Sequence, residues 1–151
     1  MITTILVATD GSETSLAALD AAIGEAVVHG AKLHVLSVVD SSLPQSTMAG
    51  PQSDILDVNY QIITDALTTE AQEVLDAAAV TAAKAGIQVH QHLEYGDPRR
   101  VIIATAEEVG ADLIVLGSTG RTGLEALLLG SVSSAVVTHA KTSTMIIRRR
   151  R

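Results

Sequence analysis

Three times in this chain a helical pattern runs into a glycine and an apolar run follows: Gly30 before Ala31, Gly86 before Ile87 and Gly110 before Ala111. Glycine takes the left-handed conformation that closes a helix without a Cβ penalty, so each marks a helix passing into a strand. The apolar runs are residues 2–9, Leu33 to Val39, Ile87 to Leu93, Leu113 to Leu116 and Thr144 to Arg148. All are of strand length. The stretches between them repeat apolar residues at three- and four-residue steps: Leu16, Leu19, Ile23 and Val27, then Ile55 through Ile62, Ile63, Leu75 and Ala78 to Ala82, then Val101, Ile102, Ala106 and Val109. Strands alternating with helices at this spacing predict an α/β domain, with a parallel sheet and helices on both faces. Periodicity gives five βα units but not the order of the strands.

Local signals agree with that division. Ser12 is placed to cap the first helix with its hydroxyl, and Gly96-Asp97-Pro98 opens another with proline in the first turn. Ser41 to Ser53 is rich in Ser, Pro and Gln without an apolar period, and reads as a loop. The 151 residues are expected to form one domain, 1–151, with no cysteine to cross-link it. Met1 leads directly into the first strand pattern, without a basic or long apolar leader, so a cytoplasmic protein is expected.

Charge and aromatic content narrow the function. A net charge of −7 opposes binding to nucleic acid through phosphate neutralisation, and no run approaches the ~20 apolar residues of a membrane span. Neither nucleic acid nor membrane is expected as a partner. Tyr60 and Tyr95 are the only aromatic side chains besides histidine, so a base cannot be held on an aromatic platform and would need an aliphatic slot.

The stretch with most chemistry is Leu113 to Ser134, LIVLGSTGRTGLEALLLGSVSS. A buried strand delivers a loop with glycines at 117, 120 and 123. Such spacing permits positive φ and leaves no Cβ to keep a bulky ligand from the amides. Gly130 is followed by Ser131-Val132-Ser133-Ser134 and an apolar run, which reads as a helix opening with a serine cap. The free amides and dipole of that start attract anions, with the Ser131 hydroxyl as a further donor. No G-x-x-x-x-G-K-[ST] occurs, and the first strand is followed only by Asp10-Gly11-Ser12, so neither a P-loop nor a dinucleotide fingerprint is present.

Gly117, two residues, Gly120, nine residues, then Gly130-Ser131 resembles the signature of the ATP-binding branch of the universal stress protein family. ATDGSETS after the first strand and the stretch from Gly96 to Gly117 are similar to that family as well. The resemblance implies a three-layer open sheet of five parallel strands, order 3-2-1-4-5, of the adenine nucleotide alpha hydrolase-like kind. It implies ATP with Mg2+ or Mn2+ carried on the phosphates. Adenine would be held by main-chain groups at Val38 and Ala8, where the family often has proline. Asp10 would face ribose or a metal-bound phosphate. Gly117, Gly120, Arg121, Thr122 and Gly123 would wrap the phosphates from one side, and Gly130, Ser131, Val132 and Ser133 from the other. A homodimer through the last strand, Thr144 to Arg148, is also implied, although Ser143-Thr144 replaces the proline usual there.

Arg121 is the only cation in the motif and no residue is clearly placed to orient an attacking water, so a regulatory binding module is expected, with slow ATP hydrolysis at most. The alternatives are a hydrolase whose base is Asp10 or Glu125, the same fold binding AMP or cyclic AMP, and an interaction module with an empty site. Other features read as structural. Asp10 can shape the turn before the first helix, and Asp40 can end a strand. His34 interrupts the second strand, His90 and His92 share one face of the third, and the acidic residues of the long helix form a solvated face. The four arginines 148 to 151 read as a solvated tail.

Overall fold

The computed structural model describes residues 1–41, 53–119 and 128–148. Five strands, β1 (Thr4–Ala8), β2 (Lys32–Val39), β3 (Val89–Tyr95), β4 (Leu113–Gly117) and β5 (Ser143–Ile147), form one sheet in the order β3-β2-β1-β4-β5. Every pairing is parallel. Four helices are described: α1 (Glu13–His29), α2 (Ser53–Lys84), α3 (Pro98–Val109) and α4 (Ser131–His139).

The sheet is central because its middle strands are apolar on both faces. In β1, Ile5 and Val7 point to one side and Leu6 to the other, and all three are fully buried. The first side is closed by α1 through Ala18, Leu19, Ala22 and Ile23, and by α2 through Leu75, Ala78 and Ala82. The second is closed by α3 through Ile102 and Ala106, and by α4 through Val136. Alanine at five of these helical contacts brings helix and sheet backbones close, which fits a core built without phenylalanine or tryptophan.

The glycine closures occur as expected. Gly30 (φ 63°) and Gly110 (φ 65°) are left-handed C-caps whose N–H groups return to Ala26 and Ala106. Gly86 (φ 76°) closes α2, but the third strand begins at Val89 rather than at Ile87. The Ile87 N–H is bonded to the carbonyl of Ala82 at 3.0 Å, so that residue completes the helix end and is unavailable to the sheet.

At the amino edge of the sheet, Asp112 ties two central strands together. Its Oδ2 accepts from Thr3 N–H (2.8 Å), Thr3 Oγ1 (2.9 Å) and Thr4 N–H (3.1 Å). The Thr3 bonds, backbone first, lower the Asp112 pKa below the usual aspartate value. Among the described residues no helix is long and apolar enough to cross a membrane.

Candidate functional site

From β1 the chain runs outward to β2 on one side, while β4 lies on the other. The carboxyl ends of β1 and β4 therefore flank the point where strand order reverses, which is where open α/β sheets bind their ligands. Four segments meet there: Ala8 to Ser12 after β1, the first turn of α1, Gly117 to Thr119 after β4, and the start of α4.

The β1–α1 turn is built from its own polar side chains. Asp10 Oδ1 accepts from Ser12 N–H at 2.9 Å, across Gly11 at φ 80°. This is an Asx turn, so Asp10 shapes the loop while Ser12 caps α1 by accepting from Ser15 N–H at 3.4 Å. Beneath it, the buried hydroxyls of Thr9 and Ser15 are 3.1 Å apart, and Ser15 Oγ also bonds the Ser12 carbonyl at 2.9 Å. Asp10 is half-buried, and its N–H bonds Ser15 Oγ at 3.3 Å.

Gly117 requires a different account from positive φ, which it does not adopt. A Cβ there would lie 2.8 Å from the Thr14 carbonyl carbon and 2.9 Å from its oxygen. Gly117 thus lets the first turn of α1 rest on the end of β4, and the Thr14 hydroxyl donates to the Thr119 carbonyl. The glycine makes room for protein backbone. Gly120, Arg121, Thr122, Gly123 and Glu125 lie outside the described residues, as do most of the loop after Ser41 and the tail from residue 149.

The start of α4 also differs from a serine cap. Gly130 itself is the N-cap, extended at φ −63° and ψ 165°, with no side-chain capping bond, and Ser131 is the first helical residue. Gly130 is buried, with its N–H on the Ser118 carbonyl at 2.7 Å; a Cβ would sit 3.3 Å from that oxygen. Ser133 is buried too, and its hydroxyl donates back to Ser118 (2.9 Å) and Gly130 (3.1 Å) carbonyls. Its side chain is committed to fixing the α4 start, leaving its main chain for any ligand. The first intrahelical bond is Ser134 N–H to Gly130 C=O, so the amides of Ser131, Val132 and Ser133 precede the helical ladder. Ser131 is exposed at that end.

Ser118 organises this edge, accepting from Gly130 and Ser133 while its own N–H bonds Ile147 of β5. Neither Ser118, Thr14 nor Ser15 stands out in sequence as part of a site. The density of hydroxyls in Thr9 to Ser15 was the available signal, since such residues bond neighbouring backbone in turns. Ala8, Val38 and Val132 all pack at the margin of the same apolar cluster, on the α3–α4 side. They come from three elements and form an aliphatic wall beside the polar turn. Asp40 follows at the end of β2, near the Asp97–Arg99 ion pair (2.8 Å) that starts α3.

The model of the Universal stress protein family matches residues 1–148. The chain belongs to that family. Universal stress protein MJ0531 of Methanocaldococcus jannaschii is 35% identical over 145 residues, which are 96% of this chain and 81% of that protein. Universal stress protein UspA from Lactobacillus plantarum has a solved structure similar to this one at a TM-score of 0.84 and 30% identity, covering 97% of this chain and 98% of the other. A universal stress protein solved in complex with cAMP is similar at a TM-score of 0.63 and 29% identity, covering 97% and 96% of the two chains.

Proposed function

We propose that this chain is an ATP-binding universal stress protein, a nucleotide-dependent regulatory module rather than an efficient catalyst. The observation that carries the reading is the pairing of the open α4 start at Gly130 with the aliphatic wall of Ala8, Val38 and Val132, across the reversal point of the sheet. The wall suits an adenine ring in a chain almost without aromatics. The first-turn amides of Ser131, Val132 and Ser133, with the exposed Ser131 hydroxyl, suit phosphate oxygens. Asp10, at the same edge, would face ribose or a phosphate-bound cation, and Mg2+ or Mn2+ would supply charge neutralisation there. The phosphate-wrapping roles of Gly120, Arg121, Thr122 and Gly123 rest on the spacing of the motif alone.

In this reading no described side chain is placed to activate water, so hydrolysis is slow at most. The free edge of β5, continued by Arg148, serves a homodimer by pairing with a second copy. The protein acts in the cytoplasm on adenine nucleotide, without nucleic-acid or membrane partners.

A second reading, the same site holding AMP or cyclic AMP, is favoured by the related protein solved with cAMP. One experiment separates them: nucleotide released from freshly purified protein is identified by chromatography, then ATP with magnesium and cyclic AMP are titrated by calorimetry. ATP recovered or bound tightly, and lost in Gly130→Val, supports the first reading. Preferential cyclic AMP binding supports the second. Absence of heat with either ligand, or rapid ATP turnover by contaminant-free protein, overturns the regulatory ATP module.

A further inference from the structure

Three of the five histidines of this chain meet on one face of the sheet, away from the carboxyl edge. His34 of β2 is in register with His90 of β3, and Leu36 with His92. The rings of His34 and His90 are stacked with centroids 4.7 Å apart, those of His34 and His92 at 5.1 Å, and His34 Nδ1 lies 2.8 Å from His92 Nε2. The contact is a hydrogen bond only while one of these nitrogens is unprotonated. With both rings cationic, two N–H groups would face each other at that distance.

We propose that His34, His90 and His92 form an acid-sensitive clasp that holds the edge strand β3 to β2 when neutral and loosens it when the group takes up more than one proton. Among the described residues, no acidic group is among those that act on His34 to offset extra charge. Across the sheet His34 is in register with Leu6 of β1, and the helices on this face contribute Ile102, Ala106 and Val136 to the adjoining cluster. Lys32 on the same strand adds positive charge. The acids of neighbouring elements, Glu94 on β3, Glu107 and Glu108 on α3, are not among the groups that act on His34, and Asp76 of α2 reaches Gln91 on the opposite face. Burial first, then His90, His92 and Lys32, lower the His34 pKa to about 4.

Release has a route to the rest of the fold. After β3 the chain turns at Gly96, whose N–H is bonded to the Val39 carbonyl at 3.0 Å, and Asp97 then caps α3. Loosening β3 therefore frees the end of β2 and the start of α3 together. β5, the opposite edge, has no titratable residue from Ser143 to Ile147 and serves as an internal control.

Hydrogen exchange of the backbone, corrected for intrinsic chemistry, tests this on the full chain between pH 7.5 and 4.5. Protection of β3 relative to β5 should fall by roughly threefold to tenfold per pH unit below about 6.5, the limit being one linked proton. His34→Leu, which suits its apolar neighbours, should abolish that relative slope. In the more exposed double variant His90→Gln/His92→Gln, the His34 ring should titrate at higher pH by NMR. Equal acid responses of β3 and β5, or a His34 ring whose titration ignores the double substitution, would overturn the clasp.

Discussion

Placing alanine at three glycines of this protein should give three different results, because each glycine is present for a different reason. At Gly117 the new Cβ would stand 2.8 Å from the Thr14 carbonyl carbon, whereas carbon atoms pack favourably at about 3.5–4.0 Å. The deficit approaches an ångström, and its partner is backbone in the first turn of a helix, so no rotamer change relieves it. Either α1 retreats from β4 or β4 bends, and overpacking of this kind costs about 2–3 kcal/mol. Gly30 has open space but φ 63°, so alanine there costs about 1 kcal/mol through the left-handed backbone. Gly24 lies inside α1 with nothing within 4 Å and no positive φ, so alanine should stabilise by about 0.5–1 kcal/mol. Urea unfolding monitored by circular dichroism reads all three, with unchanged m-values confirming that the native state is what moved. Gly117→Ala should also weaken nucleotide binding, since the Thr14–Thr119 contact closes the same edge, while Gly24→Ala should bind normally. A Gly117→Ala protein as stable as its parent would refute the close-packing account, and equal behaviour of all three variants would refute the separation of causes.

Further substitutions probe the turns around the site and the tie at the other edge. Ser12→Ala removes the α1 cap and should cost about 0.5–1 kcal/mol in the same unfolding assay, toward the low end because the capping bond is long at 3.4 Å. Ser133→Ala should cost about 1 kcal/mol and loosen Gly130, which hydrogen exchange at the α4 start would register; the Ser118 carbonyl still keeps the Gly130 N–H. Asp112 contributes stability above the ordinary aspartate pKa near 4, lost as pH falls through its lowered folded value. Asp112→Asn should therefore flatten the acid limb of the thermal-unfolding profile, and an unchanged limb would show that the tie to Thr3 and Thr4 is not linked to protonation.

Why the helix ends were readable and the loop chemistry was not follows from the range of the forces involved. Gly30, Gly86 and Gly110 close helices by local backbone conformation, which depends on a few adjacent residues and is visible in any window. The strand order came from resemblance to a family, since the apolar runs alone are compatible with several parallel arrangements. Ile87 shows the limit of periodicity: it belongs to the alternating pattern of the third strand, yet its N–H is taken by the preceding helix. Ser131 shows the limit of capping rules, because Gly130 is already held by Ser118 from across the loop and the cap position moves one residue back.

Gly117 and the histidine trio carry that reasoning further, since both depend on which residues the sheet sets side by side. Spacing reads Gly117 as a residue whose missing Cβ makes room for a ligand. In the fold that space is filled by Thr14, more than a hundred positions away, because parallel pairing of β1 with β4 places the first turn of α1 over the β4 end. A glycine within a binding motif can therefore act one layer back, holding the helix that positions Asp10. The same logic applies to His34, which looked like a tolerated interruption of a strand until the register of β2 and β3 set it against His90 and His92. For such residues the identity is written in sequence and the neighbour is written in the topology. A substitution that changes one without the other, as His34→Leu and Gly117→Ala do, is the direct way to measure what the juxtaposition contributes.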